Sequence, residues 1–466
     1  MTSEEIVSVT IERFNSRGWG IAPFQGAQVE VIGGLPGDLL SVKLLKKRRG
    51  KWRADLLQVV SSSFLRVQPR CVHVPHCGGC TWQQMDYSAQ LKEKQERVRL
   101  LFAPFLSDVE CMDIVPCKDP WRYRNKMEFS FSCNRAGETF LGLILAGSRG
   151  HVFNLTQCHL SSLWYSTVLE QVRVWWKQSG LAAYRMNDTG ALRTLVVRES
   201  RATGAKLVML TVSGNPSYAL HRSQLDSFVA AVKAATPEEQ HPSLSIFLRV
   251  QQIHKGSPTQ FFEMHLHGPD HLMEKMTLSL NKPVELAFKI SPTSFFQPNT
   301  QQAERLYALG LQMVSFPKKH VLDLYAGTAT LGMAAALYAD QVTAIEINPH
   351  ACFDAEANKQ LNGLTNLEIL CGDVGKKLAE LQQRPDFIPP DLVVIDPPRA
   401  GLDANALTHL KTLLPEEILY ISCNPETQAL NIKDLLQFGY RLIKMQPVDQ
   451  FPHTLHIENI ALLKRA

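Results

Sequence analysis

A cysteine flanked by small polar residues and a proline, Ser422-Cys423-Asn424-Pro425, follows directly on the β-rich run Ile418-Leu-Tyr-Ile-Ser. A thiol at a strand end can serve as a nucleophile once it ionises. One strand earlier, Asp396-Pro-Pro-Arg399 ends Leu392-Val-Val-Ile-Asp and places an acid on a loop stiffened by two prolines. Earlier still, Asp323-Leu-Tyr-Ala-Gly327-Thr-Ala-Thr-Leu-Gly332 follows a strand and opens a helix, and Glu346 ends the next strand nineteen residues beyond Gly327. Glycine lets the backbone approach a ligand, and the later carboxylate can take both hydroxyls of a ribose. NAD and S-adenosylmethionine sites share this fingerprint. The Asp-Pro-Pro loop separates them: it suits the reacting end of a methyl-transfer site and has no standard role in hydride transfer.

A second cluster is built of thiols. Cys71-x5-Cys77-Gly-Gly-Cys80 is followed, after seventy-seven intervening residues, by Cys158, a set able to hold an iron-sulfur cluster or a tetrahedral zinc. Spacing alone leaves both open. Cys111, Cys117, Cys133, Cys352 and Cys371 have no assigned task.

The elements that carry these groups fall into three segments, 1–65, 66–290 and 291–466. The first has short alternating runs, Ile6-Val-Ser-Val-Thr-Ile, Gln28-Val-Glu-Val-Ile and Leu40-Ser-Val-Lys-Leu-Leu, parted by turns such as Gly33-Gly34-Leu-Pro36-Gly37. Such alternation predicts a small antiparallel barrel. Its basic run Lys46-Lys47-Arg48-Arg49-Gly50-Lys51-Trp52-Arg53 lies where a hairpin loop projects. Its Trp can stack on a base while the cations meet phosphates, and a solvated face is the alternative. The middle segment reads as α+β, with strands at Thr194–Glu199 and Lys206–Val212 and helices at Gln90–Phe102 and Leu225–Ala235. In it, Arg122-Tyr-Arg-Asn-Lys126 is either a grip on RNA or a solvated strand end. The last segment alternates strands beginning at Val321, Val342, Leu367, Leu392 and Ile418 with helices such as Leu331–Tyr338 and Ala351–Leu361. Repeated βα units predict a doubly wound, mainly parallel Rossmann-like sheet whose ligands sit at the strands' carboxyl ends.

Composition sets the outer bounds. In 466 residues, 45% apolar and 20% charged is a globular balance that excludes disorder, collagen and long coiled coil. The apolar stretch Leu331–Ala339 is broken at Asp340, far short of the ~20 residues a bilayer needs. The acidic start Met1-Thr-Ser-Glu-Glu lacks the apolar core of a signal peptide, so a cytoplasmic protein without a membrane partner is expected. Ten cysteines are too few for a disulfide scaffold of this size. Residues 1–70 hold eleven Lys/Arg against six Asp/Glu, an excess equal to the whole net charge of +5.

Residues 291–466 resemble the catalytic domain of the RNA uracil-5-methyltransferases. The resemblance rests on Ser291-Pro-Thr-Ser-Phe-Phe296-Gln297-Pro-Asn299, Asp323-Leu-Tyr-Ala-Gly327, Asp396-Pro-Pro-Arg399, Ser422-Cys-Asn-Pro425 and His456-Ile-Glu458, in that order. It implies a class I domain that carries a methyl group from S-adenosylmethionine to carbon 5 of a uridine. Cys423 is then the nucleophile that adds to carbon 6 and makes carbon 5 reactive, and Glu458 the base that afterwards removes the hydrogen from carbon 5. Gln297, Tyr325, Glu346 and Asp396 fall on cofactor-binding positions, Phe296 and Pro292 on pocket walls, and Asp373 near the adenine. The sequence departs from the family at Ala329, where a second glycine is usual, and at Thr330, where several members have Asn.

The first segment is similar to a TRAM domain, an oligonucleotide-binding-type barrel. The cysteine pattern resembles the [4Fe-4S] site of the ribosomal branch, which implies Cys71, Cys77, Cys80 and Cys158 as cluster ligands and large-subunit ribosomal RNA as substrate. The expected partner is RNA, its target base flipped into the pocket by a protein acting as a monomer. Transfer RNA uridine, RNA cytosine, and a non-catalytic RNA-binding or ribosome-assembly role are the alternatives.

Overall fold

A computed structural model describes residues 5–466; residues 1–4 of the acidic N-terminal stretch lie outside the described residues. The chain opens with strands β1 (Ile6–Thr10), β2 (Arg13–Phe14), β3 (Gly20–Phe24), β4 (Ala27–Val31), β5 (Leu39–Arg48) and β6 (Lys51–Ser61). They form one sheet in the order β1-β5-β6-β4-β3-β2, in which β4 and β6 run parallel and the other pairs antiparallel. Val9, Val29, Val31, Leu40 and Val42 alternate inward to fill its core. The basic run forms the β5–β6 hairpin, with Arg49 (φ 51°) and Gly50 (φ 76°) as its two-residue left-handed turn.

Helix α1 (Tyr87–Phe102), capped by Asp86, and the short strand β7 (Glu110–Cys111) come next. Then follow β8 (Lys126–Cys133), β9 (Thr139–Gly142), α2 (Leu163–Ser179), β10 (Leu192–Glu199), β11 (Lys206–Ser213), α3 (Arg222–Ala234), β12 (Leu244–Gln252) and β13 (Gln260–His267). These six strands make a second sheet, β13-β12-β11-β10-β8-β9, with α2 and α3 sharing its apolar core. A separate hairpin, β14 (Leu272–Ser279) and β15 (Pro283–Ile290), packs on helices of the last segment.

The rest alternates helix and strand: α4 (Thr300–Met313), β16 (Lys318–Leu324), α5 (Thr330–Ala335), β17 (Ala339–Glu346), α6 (Pro349–Leu361), β18 (Leu367–Cys371), α7 (Val374–Gln382), β19 (Leu392–Ile395), α8 (Ala404–Leu413), β20 (Glu417–Ser422), α9 (Pro425–Gln437), β21 (Tyr440–Val448) and β22 (Glu458–Arg465). Every residue of β19 and β20 is buried, as a parallel strand covered by helices on both faces requires. The eight-stranded order is β18-β17-β16-β19-β20-β22-β21-β7. β22 runs antiparallel to both β20 and β21, and β7 closes the edge in parallel with β21. Thus α1 and β7, which belong in sequence to the middle segment, lie on the last sheet, where Val98 and Phe102 enter the same core as Leu322 and Ile345. The helix expected over Leu331–Tyr338 stops at Ala335, because the chain must turn before β17 starts at Ala339. Among the described residues no helix is long and apolar enough to cross a membrane.

Candidate active site

Strands β16, β17, β19 and β20 are mutually parallel neighbours, so the residues after their last bonds gather at one edge of the sheet. Tyr325, Glu346, Asp396 and Cys423 are those residues. β22 returns against β20 with Ser422 opposite Asn459, which brings Glu458, the first residue of β22, to the same edge. With Gln297 from the loop after β15, all six line one cavity of about 780 Å³. That volume lies within the ~300–1,000 Å³ range of small-molecule sites. Phe296 and Asp373 line it as well, whereas Pro292 does not.

The turn between β16 and α5 shapes one wall. Tyr325 (φ 61°), Gly327 (φ 56°) and Ala329 (φ 57°) are all left-handed, a conformation that strains the two residues with a Cβ. Ala329, the sequence's departure from its look-alikes, therefore occupies a backbone position that favours glycine, with its methyl fully buried. The Gly327 amide donates to Glu346 Oε2 at 2.8 Å and the Asn348 amide to Oε1 at 2.7 Å. Both hold the carboxylate toward the cavity. Gly332 donates its amide to Asp323 Oδ2 at 2.8 Å, and a Cβ at Gly332 would stand 2.8 Å from that oxygen, too close to fit. The Tyr325 hydroxyl is buried without a hydrogen-bond partner, an orphaned polar atom on the cavity wall.

Acidity is concentrated on the floor. Burial pushes the Asp396 carboxyl up to about 7, and burial helped by the Asp396 charge pushes Glu458 well above the carboxylate range. Asp323 rises to about 7, mainly through burial. Burial, then the charges of Glu458 and Asp396, push the Cys423 thiol up to about 11, opposed by the Arg399 guanidinium. Cys423 also immediately precedes Asn424, the N-cap of α9, and a helix N-terminus favours thiolate.

Two cavity residues carried no separate role in the sequence reading. Arg399 Nη2 and His456 Nδ1 are 2.9 Å apart, and burial together with Arg399 holds His456 down at about 4, a neutral imidazole. The two sit beside named acids, His456 two residues before Glu458 and Arg399 three after Asp396, and only the fold pairs them.

The segment Arg122–Lys126 is neither a solvated strand end nor one continuous basic face. Tyr123 is buried and donates to Pro452 O at 3.1 Å. Asn125 donates to Gln297 O and Thr300 Oγ1, each at 2.8 Å, tying the second sheet to the cavity loop. Arg124 stands within electrostatic range of Cys77, Cys80 and Cys158. The four thiols Cys71, Cys77, Cys80 and Cys158 influence one another in every pairing. The Gly79 amide donates to Cys77 Sγ at 3.3 Å and Gln83 Nε2 to Cys80 Sγ at 3.5 Å. Among the described residues no three His, Cys, Asp or Glu close into a metal-holding group. Their loop holds the segment between two cavity residues, Phe451 and His456: the Thr81 and Trp82 amides donate to His453 O at 2.9 and 3.0 Å.

A doubly wound sheet with a strand-end thiol and acids around one ligand-sized cavity defines an enzyme of the nucleotide-cofactor class. Residues 266–466 match the sequence family tRNA (Uracil-5-)-methyltransferase. An uncharacterized RNA methyltransferase of Protochlamydia amoebophila is 46% identical over 93% of this chain and 99% of its own. One of Caldanaerobacter subterraneus is 32% identical over the full length of both. In fold, the crystal structure of Pyrococcus abyssi tRNA (uracil-54, C5)-methyltransferase in complex with S-adenosyl-L-homocysteine superposes with a TM-score of 0.73 over 98% of this chain and 99% of that one, at 24% identity. The chain belongs to the RNA methyltransferases, and its residues 266–466 match the tRNA (uracil-5-)-methyltransferase model.

Proposed function

We propose that the protein methylates carbon 5 of a uridine in RNA, with S-adenosylmethionine as donor and Cys423 and Glu458 as the catalytic pair. The observation that carries this reading is the convergence of Cys423, Glu458, Asp396 and Glu346 on a single cavity. The residues present suit the donor. Glu346, fixed by two amides, can accept from ribose hydroxyls, and the unpartnered Tyr325 hydroxyl, with Gln297 and Asp396, offers further polar contacts. S-adenosylmethionine supplies, when bound, an electrophilic methyl group. The chain's own work is to raise the nucleophilicity of a poor acceptor. The Cys423 thiolate adds to carbon 6 of the flipped base, which makes carbon 5 an enolate carbon. After transfer Glu458 takes the hydrogen from carbon 5, and the Cys423 sulfur leaves carbon 6. A buried carboxylate with raised affinity for protons is suited to that task.

Division into a basic barrel (1–65), a middle cysteine domain (66–290) and a catalytic domain (291–466) belongs to the same reading. The TRAM-like barrel would grip RNA through its hairpin, where Lys47 lies 5.6 Å from the Trp52 ring centroid and Arg53 5.1 Å from that of Trp19. Cys71, Cys77, Cys80 and Cys158 would hold a [4Fe-4S] cluster: their mutual proximity, all-thiol chemistry and amide donors fit it, and its place beside the His453 loop suits a structural role. Large-subunit ribosomal RNA is the proposed substrate, on the cysteine spacing and the barrel, and the enzyme is taken to act as a cytoplasmic monomer.

Nucleoside mass spectrometry of unmodified ribosomal and transfer RNA, incubated with the protein and methyl-labelled S-adenosylmethionine, tests the reading. Labelled 5-methyluridine in ribosomal RNA is expected, and none with Cys423→Ala. Label confined to transfer RNA moves the substrate class, labelled 5-methylcytidine moves the base, and absence of both label and donor binding returns the protein to a non-catalytic RNA-binding role.

A further inference from the structure

Cys352 and Cys371 stand on either side of Glu346. Cys371 ends β18 and pairs in register with Glu346 at the end of β17. Cys352, in the first turn of α6, donates its thiol to the Glu346 carbonyl at 3.3 Å, and the Gly372 amide reaches the same oxygen at 2.8 Å. Both thiols thus flank one peptide group, that of Glu346: Cys371 through the strand register and Cys352 through its bond to the carbonyl. One is solvent-exposed, Cys371, while Cys352 is only 8% exposed. An exposed thiol backed by a buried partner is the arrangement in which an oxidised sulfur is resolved internally.

We propose that Cys352 and Cys371 form a reversible oxidation site that weakens ligand binding in the adjoining cavity; the effect on binding rests on Glu346 being a donor ligand there. The oxidant class is a hydroperoxide. The Cys371 sulfur attacks hydrogen peroxide, the O–O bond breaks, and Cys371 becomes a sulfenic acid with release of water. Cys352 sulfur then attacks the Cys371 sulfur, the S–S bond forms, and the departing hydroxide takes the Cys352 proton as a second water. Two thiols lose two electrons and two protons, and peroxide is reduced to two waters. A thiol reductant reverses the change.

Closure to an S–S bond of ~2.05 Å pulls the first turn of α6 toward the end of β18. It removes the Cys352 S–H donor from the Glu346 carbonyl. It also shifts Asn348, whose amide holds Glu346 Oε1 at 2.7 Å. By linkage, a ligand bound through Glu346 must oppose the bond by the same factor that the bond weakens the ligand.

The test treats full-length protein with hydrogen peroxide and maps cross-linked peptides, then titrates reduced and oxidised protein with S-adenosylhomocysteine. Expected are a 352–371 cross-link absent from Cys371→Ser, affinity roughly tenfold weaker after oxidation in the unsubstituted protein but unchanged in the variant, and a smaller disulfide fraction in a fixed redox buffer when the ligand is present. Oxidation that yields no 352–371 cross-link overturns the site, and a cross-link with unchanged affinity overturns its effect on binding. Absence of binding by reduced protein overturns the reading of the cavity instead, while peptide mapping still decides the thiol pair.

Discussion

Lys94 in α1 holds its ammonium 2.6 Å from Asp449 Oδ1 in the loop that leads to Glu458, with both side chains fully removed from solvent. The same ammonium donates to Phe451 O at 3.1 Å, and the Tyr87 hydroxyl donates to Asp449 Oδ2 at 2.7 Å. Burial lowers the Lys94 proton affinity and Asp449 restores part of it. A helix of the middle segment thus anchors the approach to the proposed base.

Lys94→Met leaves Asp449 a buried charge with a tyrosine hydroxyl for company. Loss of one partner of a buried pair costs about 3–5 kcal/mol, so the variant should melt markedly lower. Replacing Asp449 by Leu in the same chain should recover part of that loss. Chemical denaturation of both variants checks this, and an unaltered Lys94→Met midpoint contradicts it.

Cys423 should alkylate slowly at neutral pH and faster as pH climbs toward about 11, where its thiol ionises. Asp396, raised only to about 7, is charged at pH 9 and opposes the thiolate. Asp396→Asn should therefore speed iodoacetamide labelling of Cys423 at pH 9, read by peptide mass spectrometry. A slower rate would reverse the assigned electrostatics.

Asp323 is buried and held near 7 in the folded chain, against ~3.9 when unfolded, so folding favours its protonated form. Its contribution to stability is complete below about pH 4 and is lost as pH rises through about 7. Asp323→Asn, neutral throughout and still able to accept from Gly332, should raise the Tm at pH 8 more than at pH 5. Thermal melts at the two pH values decide the sign.

At Ala329 two effects of about 1 kcal/mol oppose each other: glycine relieves a left-handed backbone and loses a buried methyl. Ala329→Gly should leave the Tm nearly unchanged. Ala329→Val, branched at Cβ where φ is 57°, should destabilise strongly and weaken S-adenosylhomocysteine binding. Melting and calorimetric titration of the pair test the turn directly.

The βα alternation of the last segment was legible because its strands are buried on both faces and its helices start at Asn348, Asp373, Asp403 and Asn424, each accepting an amide in its own first turn. The convergence of Cys423, Asp396 and Glu346 followed from a rule of parallel sheets: what ends each strand meets at one edge. Other features depend on pairings that no local pattern encodes. Nothing in Glu110-Cys111 marks it as an edge strand of a sheet built hundreds of residues later, and Asn125 reads as part of a basic run until Gln297 is beside it. The Arg399–His456 contact likewise joins two loops, and α1 could be read as a helix without revealing which core receives Val98.

The pairing of Glu110 and Cys111 with Lys444 and Met445 sets an order of events during synthesis. A strand made early waits, unpartnered, while more than three hundred residues emerge, and the sheet it seals is finished only when β22, the last strand of the chain, has been released. The cavity can be completed only once Glu458 has emerged from the ribosome. A chain cut short anywhere before residue 458 lacks the proposed base and leaves open the edge that β22 would have covered.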